Sequence, residues 1–253
     1  MTERGFYHIL LWAWLGVAAA VCVLLFFVTA PYGRHLRRGW GPTIASRLGW
    51  MLMEAPSPLI FAALFLLGDR TANPVNCAFL ALWLTHYLYR AFLFPLGLRE
   101  GGKRMPAAVV SLGALFNLGN AYLNGRWLNL FGPAYGTGWF ADPRFIVGAA
   151  LFLVGFAIHT RADGALIRLR SPGETDYKIP RGGLFRWVSC PNYLGELVQW
   201  GGWALATWSL ARLAFFLWTA ANLVPRARSN HRWYRDNFPD YPPERRALLP
   251  FLF

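Results

Sequence analysis

Apolar residues fall along the chain in seven runs, separated by short stretches rich in arginine, glycine and proline: residues 8–30, 49–67, 77–98, 107–123, 145–158, 193–208 and 210–224. A helix that crosses a bilayer needs about 20 predominantly apolar residues, so the first three runs predict spans outright. The fifth is short, and predicts a helix that borrows its flanks or projects one end into water. The last two runs abut, and Ser209 and Arg212 near their junction predict a tight helical hairpin rather than one long helix. The pattern therefore predicts an all-α, polytopic membrane protein of seven transmembrane helices. No internal repeat and no long linker divides residues 1–253, so a single domain is expected.

The charges give those spans a direction. Nineteen lysines and arginines lie in four alternate intervals (32–48, 99–106, 160–192 and the tail after 224), against five at the N-terminus and in the other intervals. Lysine and arginine gather on the cytoplasmic side, which predicts an outside N-terminus and a cytoplasmic C-terminus. This patterning absorbs most of a formal net charge of +13 in a chain that is 56% hydrophobic and only 15% charged. The cations sit between apolar runs rather than on one stripe, so no nucleic-acid partner is expected. Their surplus suits an anionic cofactor or lipid headgroups. Cys22, Cys77 and Cys190 are far apart, with no C-x-x-C motif and no paired histidines, so neither a metal site nor a disulfide framework is indicated. The first run is too long for a cleaved signal peptide and lacks a small-residue cleavage site. The absence of an N-x-S/T site and of a C-terminal retrieval signal favours a bacterial inner membrane over the endoplasmic reticulum.

Against this apolar background a few polar residues stand out. Of the twelve acids, only Glu54 and Glu196 fall inside runs fit to span, with Asp163 at the edge of one and Arg90 the one cation inside the third run. An ionisable residue inside a membrane segment is costly unless something polar meets it, and so marks a functional site. Tyr87 and His86 precede Arg90 by three and four residues and share a helix face with it; Asn192 and Glu196 are likewise four apart. A tyrosine hydroxyl and a carboxyl in apolar surroundings both hold their protons near neutrality. Glu54 and Tyr87 together suit donation of hydrogen bonds to a ligand carbonyl, the work an oxyanion hole does. Helix packing by Glu54 and an interfacial belt position for Tyr87 are the plainer alternatives.

Towards the cytoplasmic side, His159, Asp163 and Arg170 recur close to a whole number of helical turns. After them come Pro172-Gly173-Glu174, Tyr177 and the Gly182-Gly183 pair, then Arg226, Arg228, Asn230, His231, Arg232, Tyr234 and Arg235 in the tail. Guanidinium groups fork onto phosphate and aromatic rings stack on a base, so the set suits a large anionic nucleotide; binding of anionic lipid is the alternative for the tail. No G-x-G-x-x-G or Walker A motif is present, which excludes the soluble nucleotide-binding frames.

The stretch 179–200 with Asn192 and Glu196, the R-x-x-x-N-H-R-W-Y pattern from Arg226 to Tyr234, and the terminal D-Y-P-P-E-R-R-A-L-L-P-F-L-F resemble the steroid 5-alpha-reductase family, as do the Tyr32-Gly33-Arg34-His35 and His86-Tyr87-x-x-Arg90 patches. The resemblance covers nearly the whole chain. It implies a seven-helix membrane reductase that uses NADPH to reduce the carbon–carbon double bond of a 3-oxo-delta-4 steroid, with Glu54 and Tyr87 at the 3-keto oxygen. It further implies cofactor contacts from His159, Asp163, Arg170, Tyr177, Asn192, Glu196, Arg226, Asn230, His231 and Tyr234, with Arg90 and Arg99 assisting. The chain departs from the family pattern at Met53, where a glutamine is usual before the glutamate, at His159, where an asparagine is usual, and at Asn230, which replaces a histidine. The expected partners are a flat apolar enone and the bilayer, and the expected state is a monomer. The interval 160–192 is expected to close over the cofactor. A membrane methyltransferase using S-adenosylmethionine, a different enone or enoyl-lipid reductase, and a non-catalytic sterol-binding scaffold are the competing readings; methyl transfer gives Glu54 and Tyr87 no task, and a binding scaffold has no reason to line its cytoplasmic face with both acids and arginines.

Overall fold

In the computed structural model, which describes residues 1–37, 39–99, 102–171, 173–174 and 176–253, the chain is mostly helical with almost no sheet. Among the described residues, nine α-helices form seven rods. The first is α1 (Glu3–Phe27), whose N-cap Thr2 accepts from Gly5 N–H. Proline has no N–H and breaks the second rod, so α2 (Ser46–Glu54) ends at Glu54 and α3 (Pro56–Leu66) begins two residues on. The third rod is α4 (Pro74–Leu88), a π-turn at Tyr89–Leu93 and α5 (Phe94–Gly97). Asn73 caps it by accepting from Val75 and Asn76 N–H. The fourth, α6 (Ala107–Arg126), also ends in a π-turn, Trp127–Phe131. The last three rods are α7 (Pro143–Arg168), α8 (Pro191–Thr207) and α9 (Leu210–Asn237). Two three-residue strands, β1 (Thr43–Ala45) and β2 (Arg104–Pro106), pair antiparallel with Ile44 opposite Met105. They join the segments that lead into α2 and α6.

Four stretches are long and apolar enough to cross a membrane: Glu3–Phe27, Ser46–Leu66, Pro74–Gly97 and Pro143–Arg168. α8 has only 17 residues, and α6 and α9 carry buried Asn117, Asn120, Asn124 and Arg212. Outward faces throughout are apolar: Ile9, Trp12, Leu59, Leu112 and Leu153 are all exposed, as a hydrocarbon solvent requires.

Three boundaries differ from the sequence expectation. The fifth run, short by hydropathy, borrows its flanks as expected and forms a 26-residue helix to Arg168, so that the first nine residues of the interval 160–192 are helical. The tail after Val224 is not loose. α9 continues through Pro225 to Asn237, which puts Arg226, Asn230 and Tyr234 on one buried face. The segments taken as plain loops before α2 and α6 carry the strand pair. The hairpin between the last two runs turns at Trp208, which has φ 42°, and Ser209.

Aromatic rings fill the centre. Trp83 stacks on Phe61 with centroids 4.5 Å apart, and Trp200 lies 4.3 Å from Phe215. At the end of the bundle away from the strands, the Arg70 guanidinium donates to the carbonyl oxygens of Leu128, Leu130, Gly132 and Pro133, closing the turn after α6.

The closest helix pair is α7 with α8. Gly148 and Gly155 on α7 meet Gly195 and Gly202 on α8, each pair seven residues apart, so the small residues form a seam. Small residues let helix backbones approach in a membrane, where van der Waals packing rather than hydrophobic burial drives association. A Cβ at Gly155 would stand 2.3 Å from the Gln199 nitrogen, and one at Gly195 2.5 Å from the His159 nitrogen. Backbone cannot yield as a side-chain tip does. Gly155→Ala is therefore expected to destabilise by about 1–3 kcal/mol, seen as a lowered melting temperature in detergent, whereas Gly138→Ala, with nothing within 4 Å of the new methyl, leaves it unchanged.

Candidate active site

A cavity of about 820 Å³ lies among α2, the π-turn of the third rod, α6, α7, α8 and α9. Its inner part is built around Glu54 and Tyr87. Glu54 is the last residue of α2, held there by the break at Ala55–Pro56. Tyr87 is in the last turn of α4 and is 3% exposed, with Ser57 and Asn120 beside its hydroxyl. Arg90 falls in the π-turn, a wider coil frequently found at functional positions. Its guanidinium lies over the Trp50 ring at 4.3 Å and faces two carboxylates, with Nε 3.6 Å from Glu54 Oε1 and Nη1 3.8 Å from Asp163 Oδ2. Asn192, at the start of α8, donates to Asp163 Oδ1 at 3.1 Å, and Glu196 one turn on lines the same wall. Both distances from Arg90 exceed a direct hydrogen bond, and Asp163 Oδ2 has no hydrogen-bond partner. The cluster is charged and close, with one carboxylate oxygen still open.

The outer part is basic and aromatic. Tyr177 is the platform: the charges of Arg170, Lys103 and Arg34 lie 4.3, 5.0 and 5.1 Å from its ring centroid. Arg34 is also placed over Tyr234 and donates to its hydroxyl at 3.2 Å. Arg99 lines the cavity and donates to the Arg170 carbonyl oxygen. Arg34 Nη1 and Arg170 Nε are buried and lack hydrogen-bond partners, so each offers a donor to a ligand. Burial, and then the neighbouring Arg170 and Arg34 charges, push the Lys103 ammonium down to about 8. Burial, with Arg226, Arg34 and Arg37 nearby, holds His35 down at about 4, against its hydrogen bond to Asn230. His35 is thus neutral near pH 7, and its Nε2 lies 3.0 Å from Asn230 Oδ1.

Of the fourteen site residues that the resemblance implies, Glu54, Tyr87, Arg90, Arg99, Asp163, Arg170, Tyr177, Asn192, Glu196, Arg226 and Asn230 line this one cavity. Two of them are already engaged. Arg226 donates to the carbonyl oxygens of Ala30 and Tyr32, with its charge 3.5 Å from the Tyr32 ring centroid, and so clamps α9 to the segment after α1. Asn230 donates to the Tyr193 hydroxyl. The other three lie outside the lining. His159 is fully buried behind Asp163, 3.6 Å from Oδ2 and packed among His86, Tyr89 and Phe156. His231 binds Ser189 Oγ at 2.7 Å, in a cluster with Tyr241 that ties down the C-terminal segment. Tyr234 acts through Arg34. Pro172 lies outside the described residues.

Sequence reasoning gave no role to Trp50, Lys103 or Asn117, all of which line the cavity. Lys103 had a signal in retrospect, being one of only two lysines in the chain. An asparagine in an apolar run at 117 was equally visible and went unused.

Comparison with known proteins adds a second line of observation. Residues 103–253 match the family described as 3-oxo-5-alpha-steroid 4-dehydrogenase. The chain is 42% identical over 256 residues to steroid 5-alpha-reductase DET2 of Gossypium hirsutum, covering 100% of this chain and 99% of that protein. It is 38% identical over 259 residues to DET2 of Arabidopsis thaliana, with the same coverage. Against 3-oxo-5-alpha-steroid 4-dehydrogenase 1 of Bos taurus it is 43% identical over 237 residues, covering 92% of this chain and 91% of that protein.

The depressed lysine is directly testable. With an amine-acylating reagent and mass-spectrometric readout, Lys103 is expected to gain reactivity with a midpoint near pH 8. It should outpace the more exposed Lys178, which is paired with Glu174. A phosphate-bearing ligand in the cavity should suppress the reaction.

Proposed function

Since this chain belongs to the steroid 5-alpha-reductase family, we propose that it reduces the C4=C5 double bond of a 3-oxo-delta-4 steroid with NADPH, inside the cavity around Glu54 and Tyr87. The observation that carries this reading is the division of that cavity. Two groups suited to a carbonyl oxygen sit at its inner part, and a basic aromatic platform at its outer part suits a nucleotide. The residues fit the cofactor: Arg34 and Arg170 present unpartnered donors for phosphate, Tyr177 presents a ring face, and Asp163 with Asn192 and Glu196 suits a carboxamide. When bound, NADPH supplies the hydride.

The chain's own residues do the rest. Tyr87 donates a hydrogen bond to the 3-keto oxygen, and protonated Glu54 a second. Conjugation carries that polarisation to C5, the beta carbon, which accepts the hydride. The enolate-like charge on oxygen is held by the same two donors until a proton reaches C4, so one hydride and one proton are added across the bond and the carbonyl is kept. Preorganised donors of this kind are each worth roughly 3–4 kcal/mol in a site that excludes water. Trp200, Phe215 and Phe116 give the wall an apolar surface that suits a flat hydrocarbon.

In the same reading all seven rods cross the membrane, with the N-terminus outside and the C-terminus in the cytoplasm. Arg34, Arg99, Lys103, Arg104 and Arg170 support this, because all belong to the arginine-rich intervals and all line the cavity. Every wall comes from one chain, so a single domain acting as a monomer suffices.

Detergent-purified protein should oxidise NADPH when progesterone or testosterone is added, and the product should gain two hydrogens with its carbonyl intact. Tyr87→Phe and Glu54→Gln should each lower kcat by about 10²–10³ while NADPH affinity survives. Normal turnover in both variants would remove the site assignment; tight S-adenosylmethionine binding without any reduction would place the chain among methyltransferases instead.

A further inference from the structure

One polar side chain at the inner part of the cavity has no part in the reading above. Asn117 projects from α6, is 3% exposed, and lies beside the break between α2 and α3. Its Nδ2 donates to the Met53 carbonyl oxygen at 2.8 Å and to Glu54 Oε2 at 3.2 Å. One turn earlier on α6, Gly113 leaves room for the Met53 side chain: a Cβ there would stand 2.3 Å from Met53 Cγ and Sδ. The two helices are therefore keyed together at residue 53, and the amide of residue 117 is brought to the carboxyl of residue 54.

The amide has a fixed sense. Nδ2 faces two oxygens, and a flip would set Oδ1 against both. Glu54 is thereby gripped on one oxygen by a neutral donor, while the other oxygen stands 3.6 Å from Arg90, beyond direct hydrogen-bond range. A carboxylic acid carries its proton on one oxygen and leaves the other as a carbonyl acceptor. With the Asn117 N–H directed at Oε2, the carbonyl character stays there.

We propose that Asn117 is a positioning residue that selects Oε1 as the proton-bearing oxygen of Glu54 and holds it towards the substrate ketone. Met53 itself has no donor to offer, so α6 supplies the amide. The inference rests on the reductase reading above, and its effect is on the chemical step: without the grip, the acid proton is shared between both oxygens and the carboxyl turns away from the ketone for much of the time.

Two variants test this, with wild type and Glu54→Gln as references. Asn117→Leu removes the donor at similar volume. It should lower kcat about 10–100-fold, with steroid KM and NADPH affinity changed less than about threefold. In the protein without substrate, at a pH where Glu54 is protonated, its infrared carbonyl band (identified by its loss in Glu54→Gln) should move to higher frequency in Asn117→Leu as the hydrogen bond is lost. Asn117→Asp keeps the shape but regains a donor only when protonated, so its kcat relative to wild type should rise as pH falls. Wild-type kcat in both variants, an unmoved infrared band, or a parallel loss of kcat, NADPH affinity and melting temperature would overturn the proposal. If wild type reduces no enone the reductase reading fails, whereas the infrared band still reports on Asn117.

Discussion

The close approach of α7 to α8 is the constraint on which the rest of the site depends. Glycines at 148, 155, 195 and 202 put no side chain of their own into the seam, and the two backbones run together until Asp163 meets Asn192. A bulkier seam would part these helices and the acidic wall with them. His159, fully buried where the seam ends, fills the space behind Asp163. Its buried position follows from the packing of Gly195 against its backbone, and it supports the wall from outside the cavity lining.

Across the cavity, Arg90 is the counterpart of that wall. Isolated buried charges are expensive, and removing one partner of a buried pair costs several kcal/mol. Here one cation stands between Glu54 and Asp163 at distances longer than direct hydrogen bonds. The arrangement offsets the Asp163 carboxylate in part and still leaves polar atoms open to a ligand. The π-turn in the third rod and the proline break in the second both interrupt regular helix at this level, and each places one of the partners.

The fold was legible in the sequence to the extent that hydropathy reports it. Seven runs gave seven rods, and Ser209 marked the hairpin. Hydropathy failed where a helix continues into polar sequence, at Arg168 and at Asn237, because the hydrophobic signal ends before the hydrogen-bond ladder does. The acids in or beside apolar runs, with Arg90, were the pointer to the cavity: Glu54, Arg90, Asp163 and Glu196 all line it, whereas Arg212 is buried elsewhere against Ser209 and Asn124. Residues in the polar continuation of α9 were harder to read. Arg226 lines the cavity and at the same time clamps Ala30 and Tyr32, a second task its spacing did not announce. His231 and Tyr234 hold neighbouring residues instead of lining the cavity. Arg226 and Tyr234 are buried, and in a polar setting several partners are within reach of each, so spacing alone does not say which one a side chain takes. Asn117 was missed because neutral amides in apolar runs are common packing residues, and only its partners distinguish it.

The short β1–β2 pair has a consequence for how α2 and α6 are levelled. Both helices begin at the residue after their strand, at Ser46 and at Ala107. At 1.5 Å per residue, Glu54 and Asn117 then stand about 12 and 15 Å above those starting points, like marks on two posts set in one footing. A single residue added between 46 and 53, or between 107 and 116, turns its mark by about 100° and parts the carboxyl from the amide. Sequence length in these two intervals is thus under a geometric restraint that the loops before them escape.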